Sequence, residues 1–287
     1  MKFYCIIEKD NEDSQKRYAL LEESCINKNI DFIKIIPEEF NYINSYIEED
    51  SILYRATPGT KSRVIEKWIA GNSTTFYKDN FYLLNDRSSS FFSNRASGLP
   101  IIQTIPDFFS NFDQIDNYVN FVGGFPLIIK ITGGSHGVGV IKIDSIESLK
   151  SFSDYLKTTS KNIILRKFIK HKKQGRLIVL GDKVIASHLN YCNKDFRSNV
   201  GSNQERMREA MVFPENVQQI AVKAVQSIGL DFGGVDILFE EETNNPYIAE
   251  VNFPCYFPTT QHLTNIDISG QMIDFLIAKS KGKIVTK

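Results

Sequence analysis

The sequence predicts an α/β protein that opens with a parallel-sheet lobe and closes on antiparallel hairpins. Two observations carry this. From Phe3 to Ala70, short apolar runs alternate with helical stretches, the pattern of a parallel sheet with crossover helices. From Arg176 to Asn252, apolar runs come in pairs joined by short polar turns, the pattern of hairpins. No GxGxxG follows the first run, so the usual dinucleotide fingerprint is missing.

The elements follow in order. Phe3 to Ile7 reads as a strand, followed by a helical stretch to about Asn29 and a second strand from Phe32 to Ile36. Ser51 to Tyr54 is a third strand, ending at Arg55 and the turn Thr57-Pro-Gly59, with a helix around Arg63 to Ala70. A new unit starts near Asn85, where Asp86 is placed to cap a helix stopped by Gly98 and Pro100. Strands are expected over Pro126–Ile131, Val140–Ile143 and Ile163–Phe168, with Ser145 capping a helix to about Lys157. Arg176–Leu180 and Lys183–Leu189 form a hairpin around Gly181-Asp182. Asn193 to Glu209 is polar and reads as a mobile loop. Pro214 to Ile228 has helical spacing, Val235–Glu240 and Tyr247–Asn252 are strands, and Ile266–Lys281 is a closing helix. Three lobes are expected: residues 1–84, 85–165 with a Gly-rich loop, and 166–287.

Composition narrows the function classes. With 34 basic and 34 acidic residues, no global charge points to nucleic acid or an anionic membrane. The four cysteines and four histidines are scattered, so they suggest reduced thiols and no zinc site. No run is long enough for a membrane span, and MKFYCIIEKD is too short an apolar run for a signal peptide. A cytoplasmic protein is expected.

The most informative geometry lies near the C-terminus. Pairing Glu240 with Pro246 around the loop Glu241–Asn245 puts Asp236 opposite Glu250, and period two puts Asn252 on the same face. Two carboxylates facing each other in so apolar a hairpin repel. A hard, oxygen-seeking cation such as magnesium offsets that repulsion. The alternative is a solvated face that binds nothing, and a one-residue slip in register would separate the three groups.

A phosphate site is suggested upstream. Lys130 interrupts Pro126-Leu-Ile-Ile-Lys-Ile131, and a lysine in such a strand calls for an anionic partner. The glycines of Thr132-Gly-Gly-Ser-His-Gly-Val-Gly139 let backbone N–H groups turn toward phosphate. No GK[ST] ends the loop, so it is not a Walker A motif, and alone it is as compatible with a plain turn. Lysine, glycine loop and metal hairpin together are the parts that phosphoryl transfer needs. Asp195-Phe-Arg-Ser-Asn199 adds an arginine suited to clamp a phosphate or carboxylate. Arg55, at the end of a strand in the parallel lobe, is a candidate grip for a substrate carboxylate, weighed against a surface arginine.

With these pieces assembled, the sequence resembles the ATP-grasp superfamily, and within it the RimK-type group of glutamate ligases. The likeness runs from about Asp86 to Ser280. It rests on Val122-Gly-Gly-Phe-Pro-Leu-Ile-Ile-Lys130, Gly134-Ser-His-Gly-Val-Gly-Val140, Asp195-Phe-Arg-Ser-Asn199, Gly229 with its preceding helix, Gly234-Val-Asp-Ile-Leu238, Glu250-Val-Asn252 and Thr264-Asn-Ile-Asp-Ile-Ser-Gly270. The resemblance implies an ATP-grasp fold: an N-terminal pre-grasp lobe, then two α+β lobes with ATP between them.

It also implies roles. Nucleotide contacts would come from Lys130, Gly134, Ser135, His136, Gly137, Lys167, Phe168, Arg197, Ser198, Asn199 and Arg87. Magnesium, or manganese, would sit on Asp236, Glu250 and Asn252, and Lys130, Arg176 and Arg197 would hold the transferring group. The family's Asp-Lys pair is Asp86-Arg87 here, a glutamate common at the hinge is Lys167, a glutamine in the loop is His136, and an aspartate expected near Gln174 is absent. The implied activity is an ATP-dependent carboxylate–amine ligase working through an acyl-phosphate on an amino acid, peptide or related small molecule, and relatives are often dimers or tetramers. A grasp-fold kinase and a non-catalytic ATP-binding regulator are the alternatives.

Overall fold

The computed structural model describes residues 1–8, 12–71, 73–84, 90–106, 114–131, 138–157, 163–192 and 207–282. Three sheets organise the described residues. The first is parallel, in the order β2-β1-β3: β1 is Lys2–Ile6, β2 Asp31–Ile35 and β3 Ile52–Arg55. Helix α1 (Glu12–Asn27) makes the crossover from β1 to β2, residues 36–51 connect β2 to β3 with only the 3-10 turn Pro37–Glu39, and helix α2 (Thr60–Ile69) follows β3. Two short helices follow, α3 (Asn80–Leu84) and α4 (Ser90–Ala96).

The second sheet is antiparallel and has the order β4-β7-β5-β6. Its strands are β4 (Thr104–Ile105), β5 (Leu127–Ile131), β6 (Val140–Ile143) and β7 (Ile163–Lys167), with α5 (Ile115–Phe121) and α6 (Ile146–Lys157) interspersed. Ser145 caps α6 as expected, its Oγ accepting from the Ser148 N–H at 3.2 Å. The expected lobe border after residue 165 falls inside β7, which pairs with β5 from Ile163 to Lys167 and so goes with this sheet.

The third sheet, β10-β9-β8-β11-β12, is also antiparallel. It contains β8 (Lys173–Leu180), β9 (Lys183–Tyr191), β10 (Arg208–Ala210), β11 (Phe232–Phe239) and β12 (Pro246–Asn252), with α7 (Glu215–Gln226) between β10 and β11. Helices α8 (Pro258–Thr264) and α9 (Ile268–Ser280) close the described chain. Arg208 and Glu209, read as loop, pair with Asn190 and Leu189 as an edge strand. The short elements β4, α3, α5, β10 and α8 were not legible because each is stabilised by its neighbours rather than by its own periodicity. Among the described residues no helix is long and apolar enough to cross a membrane.

The third sheet uses its two faces differently. Leu177, Val179, Val235 and Ile237 are fully buried against Val217, Ala221, Val222 and Val225 of α7. On the opposite face, Ile178, Leu180 and Phe232 share a core with Phe3, Tyr54 and Phe76 of the N-terminal region and with Met272 and Leu276 of α9. Each such side chain contributes roughly 1.5–3 kcal/mol of burial. The N-terminal sheet is thus packed onto one end of this face, and the other end carries polar residues.

Candidate active site

The polar end of that face is a row of paired residues. Ala210, His188, Arg176, Asp236 and Glu250 stand directly opposite one another across five strands. Directly paired residues project to the same side, so four ionisable side chains share one stripe. Asn252, two residues beyond Glu250, joins them and donates from Nδ2 to Asp236 Oδ2 at 3.2 Å.

The register is reached differently from the expectation. The turn pairs Phe239, not Glu240, with Pro246, and Glu240 N–H bonds to Asn245 O at 3.1 Å. Continued flat, that ladder would set Ala249 opposite Asp236 and turn Glu250 to the other face. A bulge between Asp236 and Ile237 takes up Ala249 as an extra residue and restores the Asp236–Glu250 pair. The bulged backbone is supported from the second sheet: Arg166 of β7 donates from Nη1 to Ala249 O at 3.2 Å, and from Nε to Thr104 Oγ1 at 3.2 Å.

Asp236 is nearly fully buried, at 3% exposure. Burial pushes its carboxyl above the ordinary range, Arg176 pulls it down, and Glu250 pushes it up again. Arg176 Nε lies 2.9 Å from Asp236 Oδ1, yet that oxygen accepts no hydrogen bond among the described residues. A buried oxygen left without a hydrogen, facing a second carboxylate and an amide, is the donor set a hard divalent cation takes. The residues present therefore fit magnesium. Among the described residues no cluster of three His, Cys, Asp or Glu exists, so the third ligand would be the Asn252 amide oxygen. Gly234 makes room: a Cβ there would meet Cys255 Cβ at 2.8 Å and Arg176 Nη1 at 2.9 Å.

Lys130 of β5 reaches across from the second sheet, its Nζ 3.9 Å from Glu250 Oε2. The two antiparallel sheets thus present a cation and a carboxylate pair to each other. Lys167 pairs with Leu127, not with Ile128, so it lies on the face of its sheet opposite Lys130's. Its backbone N–H is taken by Gln103 O and its Nζ stands 4.0 Å from Glu240. Phe168 carries the Lys142 ammonium over its ring at 5.4 Å. Arg87, Gly134, Ser135, His136, Gly137, Arg197, Ser198 and Asn199 lie outside the described residues.

Arg55 ends β3 as expected, but it is not an open grip. It is 2% exposed, with Nε 2.7 Å from Glu66 Oε2 and Nη1 donating to Thr57 O at 2.5 Å. Glu66 also accepts from the Tyr77 hydroxyl at 3.2 Å. The carboxylate that Arg55 holds belongs to the protein.

Sequence reasoning missed His188 and Arg166. For His188 the signal was the Gly181-Asp182 turn, but a flat hairpin puts Ser187 opposite Arg176. A second bulge, between Ile178 and Val179, brings His188 there instead. Its Nδ1 is 2.9 Å from Thr260 Oγ1, and it is 5% exposed. Burial, then Arg176 and Arg208, push its pKa down to about 4, against Asn190. The native state thus holds it neutral, and stability falls as pH drops from 6.5 toward 4. The loss should approach about 3 kcal/mol. Urea unfolding of wild type and His188→Gln across this window checks it; parallel curves would show that His188 is not the group.

Comparison with known proteins agrees with this geometry. The RimK-like ATP-grasp domain family matches residues 101–276. A probable alpha-L-glutamate ligase of Rhodopirellula baltica is 33% identical over 196 residues, covering 67% of this chain and 46% of that protein. A ribosomal protein bS6–L-glutamate ligase of Salmonella paratyphi B is 30% identical over 168 residues, covering 57% and 54%. The chain thus matches about half the length of these relatives. The ATP-grasp ligase PsnB, solved with a phosphomimetic variant of a minimal precursor, Mg and ADP, superposes with a TM-score of 0.72 over 97% of this chain and 98% of that one, at 16% identity. That likeness concerns the fold. Carboxylate pair, facing lysine and family match run through the same strands, and on them the chain belongs to the RimK-like ATP-grasp family.

Proposed function

We propose that this protein is an ATP- and magnesium-dependent carboxylate–amine ligase that forms an amide or peptide bond through an acyl-phosphate. The observation that carries the reading is the facing pair Asp236–Glu250, backed by Arg176 and met by Lys130 from the second sheet. ATP would lie between the two antiparallel sheets, with the lobes dividing near residue 84 and just after β7.

In this reading Asp236, Glu250 and Asn252 would hold magnesium, which would supply positive charge against that of the phosphates. Lys130 steers the γ-phosphoryl group toward the attacking carboxylate of the substrate. Arg176 holds Asp236 in place and, with Arg197, steadies the acyl-phosphate until the amine attacks its carbon and phosphate leaves. Arg87, Gly134, Ser135, His136, Gly137, Lys167, Phe168, Ser198 and Asn199 are the remaining nucleotide contacts. Closure of the Gly133–Gly139 loop would keep water from the intermediate. The relatives' names make L-glutamate, with a protein or peptide acceptor, the first substrates to try, and a cytoplasmic dimer or tetramer is the expected form.

The test is magnesium-dependent ADP release with amino acids and peptides offered singly and in pairs, followed by product mass. Release that requires a carboxylate and an amine, with an amide-linked product, supports the ligase. A stable phosphorylated alcohol would make the protein a kinase instead.

A further inference from the structure

Two arginines are buried behind the parallel sheet, and they are solvated differently. Arg55 has the Glu66 carboxylate, the Thr57 carbonyl and the Phe253 ring 5.5 Å away. Arg17, on the second turn of α1, is 5% exposed and has no ion pair among the described residues. Its hydrogen bonds are long: Nε to Asp13 O at 3.3 Å and Nη2 to Ser14 Oγ at 3.5 Å. The Tyr256 ring lies 5.9 Å from its guanidinium carbon. A guanidinium cannot shed its proton, so burial without a counter-charge is costly unless a ligand supplies one.

A second group nearby is also unsatisfied. The Tyr54 hydroxyl is buried and has no hydrogen-bond partner among the described residues. Burial raises the Tyr54 and Cys255 acids well above their ordinary values, and the Arg17 charge opposes that rise at both. Cys255 in turn packs on Gly234 beside Arg176 Nη1. Arg17 approaches the reacting centre through the Tyr256 ring, next to Cys255, and Tyr54 through the Phe253 ring 6.1 Å away, next to Asn252. Tyr54 is the penultimate residue of β3 and Arg17 is in the second turn of the helix that follows β1, and ligands of parallel sheets bind beyond the carboxyl ends of the strands.

Resting on the ligase reading, a substrate class follows. An amino acid that reacts through its amine keeps its own carboxylate, which needs a cation that is not already paired. We infer that Arg17, with the Tyr54 hydroxyl, binds the free carboxylate of the amino acid that supplies the amine.

Wild type, Arg17→Met, Arg17→Lys and Tyr54→Phe would be titrated with each free amino acid and its carboxamide, in the presence of ADP and Mg2+, by calorimetry. Affinity for a fluorescent ADP analogue and thermal midpoints would be measured alongside. We expect an amino acid to bind wild type and its carboxamide not to. Arg17→Met should weaken that binding about tenfold or more, with Arg17→Lys and Tyr54→Phe intermediate. ADP affinity should not change, and Arg17→Met should melt no lower than wild type, since it removes an uncompensated buried charge. The inference is overturned if no amino acid binds wild type, if Arg17→Met binds it within about twofold, or if Arg17→Met melts lower or does not fold. Failure of the ligase reading looks different: wild type would bind ADP without any dependence on Mg2+.

Discussion

Asp236→Asn should lower magnesium-dependent ADP formation by ~10³-fold, a barrier increase of about 4 kcal/mol. The substitution keeps shape and polarity but removes the charge that faces Glu250. With one carboxylate and two amides, the row offers a hard cation too little charge to hold it with the phosphates. The fold should not suffer. Asp236 is buried, and burial is the largest influence on its carboxyl, raising its folded pKa. A group raised in this way favours the native state at acid pH, and that contribution is lost as pH rises from the ordinary carboxylate range through the raised value. Asparagine has no proton to lose, so without metal the variant should be at least as stable as wild type at neutral pH, with a flatter profile. Arg176, at 19% side-chain exposure, can turn to water when its partner is neutralised. ADP formation rates and urea unfolding in EDTA test both halves. Wild-type turnover in the variant would remove Asp236 from the metal site; a large loss of stability would make its charge a structural requirement.

Glu66→Ala should be the most damaging single change to the fold, costing about 3–5 kcal/mol. Both side chains of the Arg55–Glu66 pair are 3% exposed, so the guanidinium left behind has no route to water. Burial works against the Arg55 charge, and Glu66 and Tyr77 outweigh it. The Tyr77 hydroxyl loses its acceptor in the same step. Arg55→Met combined with Glu66→Leu should recover most of the loss, because a buried pair replaced by apolar groups of similar volume is close to neutral. Unfolding free energies of the single and double variants give the answer. A Glu66→Ala protein within about 1 kcal/mol of wild type would mean that Arg55 finds another partner. The contrast with Arg17→Met is the useful one: two buried arginines, one holding a protein carboxylate and the other none among the described residues.

Much of this was legible in the sequence. The alternation from Phe3 to Ala70 pointed to a parallel sheet, since short apolar runs bounded by polar stretches read as strands, although only the connection from β1 to β2 is an α-helix and residues 36–51 join β2 to β3 without one. Asp236, Glu250 and Asn252 could be placed on one face because side chains alternate along a strand, and Lys130 stood out because a cation in Leu127–Ile131 needs an anion nearby. Tertiary structure decided the rest. Bulges are invisible to period-two arithmetic, yet one brings Glu250 back opposite Asp236 and another sets His188 rather than Ser187 opposite Arg176. The first bulge has its Ala249 carbonyl bound by Arg166, a residue of a different sheet. The fate of the buried arginines was equally out of reach. Both belong to the N-terminal sheet and its helices, but Arg55 meets Glu66 only through the packing of α2 on β3, and Arg17 meets no carboxylate at all among the described residues. Sequence alone determined which side chains share a strand face; which charges meet across elements depended on backbone irregularities and packing, because a one-residue shift or a neighbouring helix changes the partner without changing the pattern.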